Sequence, residues 1–89
     1  MTVSEAISKQ FAPASQLNWN DVSNEAWREY VYKDGGVYHV DRPVKVAVKS
    51  SERGDSHRIV TDSGVDHYVA PGWIAIRWTG HDGKSAYKW

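Results

Sequence analysis

Hydrophobic and polar residues alternate with a period of two from Arg28 onward, which is the pattern of β-strands that bury one face. Residues 44–49 show it most clearly, because three valines alternate with Lys45, an alanine and Lys49. This pattern predicts buried valines and exposed lysines. Residues 73–79 alternate in the same way. The predicted core positions of the two strands are Val44, Val46, Val48, Ile74, Ile76 and Trp78.

Turn sequences join the predicted strands into hairpins. An Asp-Gly-Gly turn at 34–36 separates residues 28–33 from residues 37–41, and this spacing is typical of a hairpin with a three-residue loop. A similar Asp-Ser-Gly turn at 62–64 predicts a second hairpin. In the first hairpin, the predicted facing pairs on the core side are Tyr30 with Val40 and Tyr32 with Tyr38.

The N-terminal region shows helical spacing instead. Thr2 and Glu5 match a capping box, in which the hydroxyl and the carboxylate satisfy free backbone amides at the start of a helix. We therefore predict a helix at residues 2–12, which is too short to be stable unless it docks on the domain or on a partner. The apolar stripe of this helix consists of Val3, Ile7 and Phe11.

About six strands and one helix fit a single mostly-β domain spanning residues 1–89, with its antiparallel core at 28–89. The expected fold is a small antiparallel barrel, or a two-layer sheet of five to six strands, covered by the N-terminal helix. Between that helix and the core, Asn20 or Asp21 is predicted to cap a second short helix that ends at Trp27.

The charges of the chain cancel, since eleven Lys and Arg residues oppose eleven Asp and Glu residues. A neutral protein has no long-range field that would attract nucleic acid or anionic lipid. There is no cysteine, which excludes disulfides, cysteine-type zinc sites and thiol catalysis. No apolar stretch is long enough to span a membrane, and the first residues do not have the pattern of a signal peptide. We therefore expect a cytoplasmic protein without membrane contact.

Four histidines are the main candidates for metal or catalytic chemistry. His57 and His67 share a sheet face only if the loop at 62–64 has an odd length, and no ligand motif accompanies them. They are interpreted as solvated surface residues, and neither a metal nor a cofactor is expected. Asp55, Ser56 and His57 are the residue types of a nucleophilic site, but neighbouring strand residues point to opposite faces. We therefore expect no enzymatic activity.

The aromatic composition is the feature most indicative of function. Five Trp and five Tyr accompany a single Phe, and Trp and Tyr are favoured where one end of the ring stays in water, as at binding surfaces. Trp73 and Arg77 are predicted to share the outward face of one strand. The alternative is a central strand buried on both faces, from which Arg77 reaches outward. The predicted binding residues are Trp73, Arg77, Tyr87, Trp89, Lys45 and Lys49.

These residues favour a non-enzymatic module that binds a protein partner. The first alternative is a small β-barrel that binds single-stranded nucleic acid through aromatic and basic side chains, and a remote one is a small-ligand or metal-dependent enzyme. A short, cysteine-free, Trp-rich chain without motifs resembles the small accessory proteins of bacteriophages and mobile elements. That resemblance implies binding that blocks or redirects a host protein, and it assigns no functional residue. The pattern does not indicate the oligomeric state.

Overall fold

In a computed structural model, residues 17–88 are described, and they form eight β-strands and no helix. The predicted helix at 2–12 lies outside the described residues. The second predicted helix is wrong, because that segment forms the first strand and the start of the second. The strands are β1 (Trp19–Asp21), β2 (Glu25–Tyr32), β3 (Val37–Asp41), β4 (Pro43–Ser51), β5 (Gly54–Thr61), β6 (Asp66–Val69), β7 (Trp73–Gly80) and β8 (Ser85–Lys88).

The strands form two antiparallel sheets of four strands each. Sheet I has the order β1-β4-β5-β6, and sheet II has the order β3-β2-β7-β8. The predicted mostly-β, antiparallel class is therefore confirmed for residues 17–88. Neither sheet closes into a barrel, and the strands outnumber the five to six expected, since residues before Arg28 also form strands. Nothing in this range is a helix of the length and apolar character that crosses a membrane.

The hydrophobic core lies between the two sheets. Tyr30 and Ile59 are its largest fully buried side chains, one from each sheet. Burying side chains of this size contributes about 1.5–3 kcal/mol each. Four half-buried aromatic residues pack around this core, namely Tyr32, Tyr38, Trp73 and Trp78. The core itself consists of Val22, Tyr30, Val40, Val46, Ile59, Val69 and Ile76.

The chain passes from sheet II to sheet I at Arg42, which has a left-handed backbone conformation with φ of 46°. Its amide N–H donates to the carbonyl of Ala26 in β2 at 2.9 Å. Its own carbonyl accepts from the amide of Asp62, beside β5, at 3.0 Å. The crossing residue therefore ties both sheets together through its backbone.

The first hairpin keeps the predicted faces but not the predicted pairing. Its three-residue loop is 33–35 instead of 34–36, so Tyr30 faces Tyr38 and not Val40. The loop closes where it does because Gly35, with φ of 90°, takes the left-handed position that such loops require. Since the loop length is still odd, even-numbered residues point inward as predicted, and Tyr30 and Val40 are completely buried.

The predicted burial along β4 is correct only in part. Val46 is buried and Lys49 is exposed, as predicted, but Val44 and Lys45 are half-buried and Val48 is 47% exposed. A bulge after Pro43 interrupts the alternation at the start of the strand. Toward its end, β4 is exposed over four consecutive residues, 48–51.

A bulge also alters β7. Tyr32 pairs with Trp73, whereas the preceding residue Val31 pairs with Ala75, so Ile74 is left without a cross-strand partner. Ile76 is buried and Trp78 is half-buried, in line with the prediction, but Ile74 is 47% exposed instead of buried. Because of the extra residue, the side chain of Trp73 points to the face opposite the one that regular alternation would give it.

Candidate functional site

The predicted binding residues do not form one surface. Trp73 points into the space between the sheets, Arg77 and Tyr87 lie on the outward face of sheet II, and Lys45 and Lys49 lie on the outward face of sheet I. Trp89 lies outside the described residues. The single cluster expected from the sequence is therefore divided, and each surface is described separately below.

Trp73 is a packing residue between the two sheets. Its ring centroid lies 5.7 Å from that of Tyr30 and 5.4 Å from that of His57, and both ring pairs meet edge to face. Its Nε1–H donates to the carbonyl of Asp55 in the facing sheet at 3.1 Å. The prediction that Trp73 shares the outward face with Arg77 is wrong, because the bulge at Ile74 reverses its direction.

Arg77 and Tyr87 are direct cross-strand partners in β7 and β8, so their side chains lie side by side. Tyr87 is 68% exposed and is the most exposed large hydrophobic residue in the described range. Strand β7 is central in sheet II, and Arg77 still reaches solvent from its outward face. We call this outward surface of sheet II the Tyr87 face. Its residues are Trp27, Glu29, Val31, Val37, His39, Asp41, Ala75, Arg77 and Tyr87.

A chain of charged hydrogen bonds crosses the Tyr87 face. Arg77 Nε donates to Glu29 Oε1 at 2.7 Å, and His39 Nδ1 lies 2.9 Å from Glu29 Oε2. His39 Nε2 lies 2.8 Å from Asp41 Oδ1. Hydrogen bonds to Asp41 and Glu29 raise the pKa of His39, and bonds from His39 and Arg77 lower the pKa of Glu29. With a carboxylate at each ring nitrogen, the arrangement favours an imidazolium that donates from both.

The ring of Trp27 lies beside this charged chain, with its centroid 5.7 Å from that of His39. At the other end of β3, Val37 is 48% exposed. The Tyr87 face therefore combines aromatic, aliphatic and charged side chains on a rigid sheet. Its charges include both signs, in contrast to the uniformly basic surfaces that bind nucleic acid backbones.

A second polar chain is buried between the sheets. Arg28 binds Glu25 through two hydrogen bonds, from Nε to Oε1 at 2.9 Å and from Nη2 to Oε2 at 2.8 Å. Its Nη1 donates to the hydroxyl of Tyr30 at 3.1 Å, and that hydroxyl lies 2.5 Å from His57 Nδ1. Burial, followed by the charge of Arg28, lowers the pKa of His57 to about 4, and burial raises the pKa of Tyr30.

This buried chain has the character of a structural network. In the described part of the chain, every buried side-chain nitrogen and oxygen has a hydrogen-bond partner, as is usual for buried polar groups. A neutral His57 accepts the Tyr30 proton at Nδ1, which in turn leaves the Tyr30 oxygen to accept from Arg28. Every donor in this buried network therefore meets an acceptor, with one consistent assignment of the protons.

The two histidines considered for metal binding do share the inward face of sheet I. The loop at 62–64 has three residues, which is the odd length that the sequence left open, and it places Ile59 opposite His67 and His57 opposite Val69. Each imidazole instead meets a tyrosine of the facing sheet, and the second such pair is Tyr38 Oη with His67 Nδ1 at 2.9 Å. No group of three or more metal-ligating side chains is found within residues 17–88. The interpretation of His57 as a solvated residue is wrong, because it is only 6% exposed.

The outward face of sheet I carries the remaining predicted residues. Lys45 packs its ammonium 4.6 Å from the ring centroid of Trp19 on the neighbouring strand, which explains why this lysine is half-buried. Farther along the same face lies a groove of about 370 Å³, which we call the Tyr68 groove. Its lining includes Leu17, Ala47, Lys49, Arg58, Tyr68 and Ala70.

Comparison with known proteins finds no relative of this chain. No protein-family model matches it, and no curated protein and no solved structure is detectably similar to it. Function is therefore argued from the surfaces alone.

Proposed function

We propose that this protein is a non-enzymatic binding module that engages a protein partner through the Tyr87 face. The observation that supports the proposal is the direct cross-strand pairing of Arg77 with Tyr87 on the outward face. The side chain of Tyr87 is 68% exposed there. Arginine and tyrosine are among the residue types that dominate the free energy of protein association. Keeping a large ring in water forgoes roughly 2 kcal/mol of burial free energy, which a partner surface would recover.

The surroundings of the pair fit an interface of ordinary composition. Glu29 holds the Arg77 guanidinium through one hydrogen bond, so the arginine enters an interface with its orientation largely set. Val37 and Trp27 add apolar area, and His39 and Asp41 supply a polar margin. A sheet holds these side chains at fixed spacing, which lowers the entropy lost on binding.

Single-stranded nucleic acid is the second candidate, on the opposite side of the molecule. Lys49 and Arg58 line the Tyr68 groove together with an aromatic ring that is 48% exposed, and aromatic platforms with flanking cations are how such sites bind unpaired bases. The balance of charge disfavours it, because Arg58 is ion-paired with Asp66 on the same face and the net charge of the chain is zero.

Affinity capture with two matched variants tests the choice between the faces. The tagged protein is incubated with lysate of the cells that express it, with and without nuclease. We expect Arg77→Ala/Tyr87→Ala to lose a protein that Lys49→Ala/Tyr68→Ala retains, and nuclease to have no effect. Loss of capture by the Lys49 and Tyr68 variant alone, together with sensitivity to nuclease, would instead assign binding to the groove.

A further inference from the structure

Strand β3 lies at one edge of sheet II, and some of its backbone groups point away from the sheet. Within residues 17–88, β3 pairs only with β2. The amide of Tyr32 donates to the carbonyl of Gly36 at 2.8 Å, and this bond fixes which residues of the following ladder bond to β2. Residues 38 and 40 do so. The N–H and C=O groups that face the open edge are those of Val37, His39 and Asp41.

The other three edge strands of the described chain are protected against pairing with another strand. Strand β1 has only three residues, and β6 has four and is followed after one residue by Pro71. Strand β8 also has four residues, and it places Lys88 opposite the core residue Ile76, on the inward side of sheet II. Short strands, prolines and inward charges are the usual means of keeping sheet edges apart.

Strand β3 has none of these features. It is the longest of the four edge strands, with five residues, and its ladder with β2 contains no bulge. It contains neither lysine nor proline, and its inward side chains, Tyr38 and Val40, carry no charge. A cleft of about 390 Å³ lies beside its end, lined by His39 and Asp41 on one side and by the β5–β6 turn on the other. The edge is therefore open to another strand.

We propose that β3 pairs antiparallel with β3 of a second copy of this chain, so that the two copies of sheet II form one sheet of eight strands. The two-fold axis passes between the two Val40 residues. Each copy then offers the same edge to the other, as in most homodimers. The axis is perpendicular to the sheet, so both Tyr87 faces lie on the same side. The inference does not depend on the proposed function, because it concerns contact between copies of this chain.

The charges along the edge select this register. Pairing centred on Val40 sets His39 opposite Asp41 of the second copy, and the reverse. Glu29 and Asp41 lie 2.9 and 2.8 Å from the two ring nitrogens of His39, which favours the imidazolium. Two imidazoliums and two aspartates then alternate in sign on one face, and opposite charges directly across a strand pair are favourable. Pairing centred on His39 would instead set two imidazoliums opposite each other.

The contact is small, so a weak dimer is expected. This register provides about four backbone hydrogen bonds between the copies, and it buries far less surface than the roughly 1,200 Å² or more of a stable interface. Sedimentation equilibrium of the full chain, from micromolar to millimolar concentration, measures the association. We expect the average mass to rise with concentration from that of one chain toward that of two. A mass that stays at one chain throughout would overturn the proposal.

A proline at the edge tests whether the backbone of β3 makes the contact. The N–H of His39 faces away from β2, so His39→Pro leaves the ladder within the chain intact but removes a donor to the second copy. Ser85→Pro is the matched control, because the N–H of Ser85 faces the open edge of β8 in the same way. We expect His39→Pro to remain monomeric and Ser85→Pro to dimerise like the wild type. Equal effects of the two prolines would refute pairing through β3.

Two charge variants test the register without a proline. His39→Glu makes the edge acidic and Asp41→Lys makes it basic, so each variant alone should dimerise roughly tenfold or more weakly than the wild type. An equimolar mixture should recover the association, because the introduced glutamate faces the introduced lysine and Asp41 of one variant faces His39 of the other. Amide NMR spectra confirm that each variant is folded. Variants that dimerise as well as the wild type, or a mixture that associates no better than its components, would contradict this register.

Discussion

Tyr30 of sheet II and His57 of sheet I are joined by a hydrogen bond of 2.5 Å between the hydroxyl and Nδ1. Both side chains are buried, and Arg28 donates to the same hydroxyl from the other side. The bond fixes how the sheets sit on each other, because sliding either sheet by one residue would move the two groups apart by about 3.3 Å and break the bond. A fully satisfied polar chain in a small core thus specifies the register that apolar packing alone would leave less defined.

Removing the Tyr30 hydroxyl should therefore be costly. Tyr30→Phe leaves Arg28 Nη1 and His57 Nδ1 without their shared partner, and we expect the free energy of unfolding to fall by about 1–3 kcal/mol. Tyr38→Phe is the matched control, since it loses only the bond to His67 and is half-buried. Its cost should stay below about 1.5 kcal/mol. Urea unfolding measures both, and equal losses would contradict a special role for Tyr30.

Acid should weaken the fold through His57. Its pKa is lowered from 6.5 to about 4 in the folded protein, so between these values the unfolded chain binds more protons than the folded one. Stability must then rise with pH across this window and fall on acidification. The maximum contribution of a pKa change from 6.5 to about 4 is roughly 3 kcal/mol.

The measurement is urea unfolding at pH 7 and pH 5, in the wild type and in His57→Gln. We expect the loss of stability on acidification to be smaller in the variant. His39 acts in the opposite direction, because its pKa is raised and its contribution is lost as the pH rises. Because both proteins are compared at the same two pH values, the effect of His39 cancels. Glu29 does not disturb the comparison either, because its pKa is lowered from 4.5 and its contribution to stability is lost only below that pH. An identical pH dependence in the two proteins would show that His57 is not buried as a neutral ring.

The buried ion pair of Glu25 with Arg28 should behave as a unit. Their side chains are only 5% and 10% exposed, so Glu25→Leu leaves a buried guanidinium without its carboxylate and should cost about 3–5 kcal/mol. Glu25→Leu/Arg28→Met should cost less than the sum of the single changes, because the double variant buries no unpaired charge. Thermal unfolding of the three variants gives the coupling. Strictly additive losses would mean that the two charges do not depend on each other.

In the first hairpin, the strand faces are predictable from the sequence and the cross-strand pairing is not. The first hairpin has its inward residues where alternation puts them, although its loop lies one residue earlier than predicted. Which side chains point inward depends only on whether the loop length is odd. Which residues become cross-strand partners depends on which loop residue adopts the left-handed conformation. Two adjacent glycines, Gly35 and Gly36, offered that position twice, and the sequence pattern does not distinguish them.

The candidate site was only partly predictable, for a related reason. The predicted closeness of Arg77 and Tyr87 matches their cross-strand pairing. The predicted position of Trp73 beside Arg77 is wrong, because a bulge leaves no mark in the alternation. The interpretation of His57 as solvated is wrong, although the sequence carries a signal for its burial. Its partner Tyr30 was already predicted to point inward, and an odd loop at 62–64 places His57 and His67 on one face.

The backbone of Arg42 offers a test of strain at the crossing between the sheets. Its φ of 46° is unfavourable for most side chains but tolerated by asparagine. Arg42→Asn should therefore raise the free energy of unfolding by up to about 1 kcal/mol, and Arg42→Val should lower it, since β-branched residues avoid this conformation. Loss of the ion pair with Asp62 should matter little, because both side chains are about half exposed or more. If thermal unfolding ranks valine above asparagine, the crossing does not have this conformation.

Substitutions on the Tyr87 face should weaken binding without destabilising the domain. Arg77→Ala removes one exposed ion pair, with Glu29 still held by His39, and Tyr87→Ala removes a ring that is 68% exposed. We expect each change to alter stability by less than about 1 kcal/mol. A captured protein partner should nevertheless lose about 2 kcal/mol or more of binding free energy with either change, which is typical of residues at the centre of an interface. Titration calorimetry at several salt concentrations measures this. The affinity for a protein partner should depend only weakly on salt. A steep loss of affinity with salt would indicate phosphate contacts and assign binding to the Tyr68 groove instead.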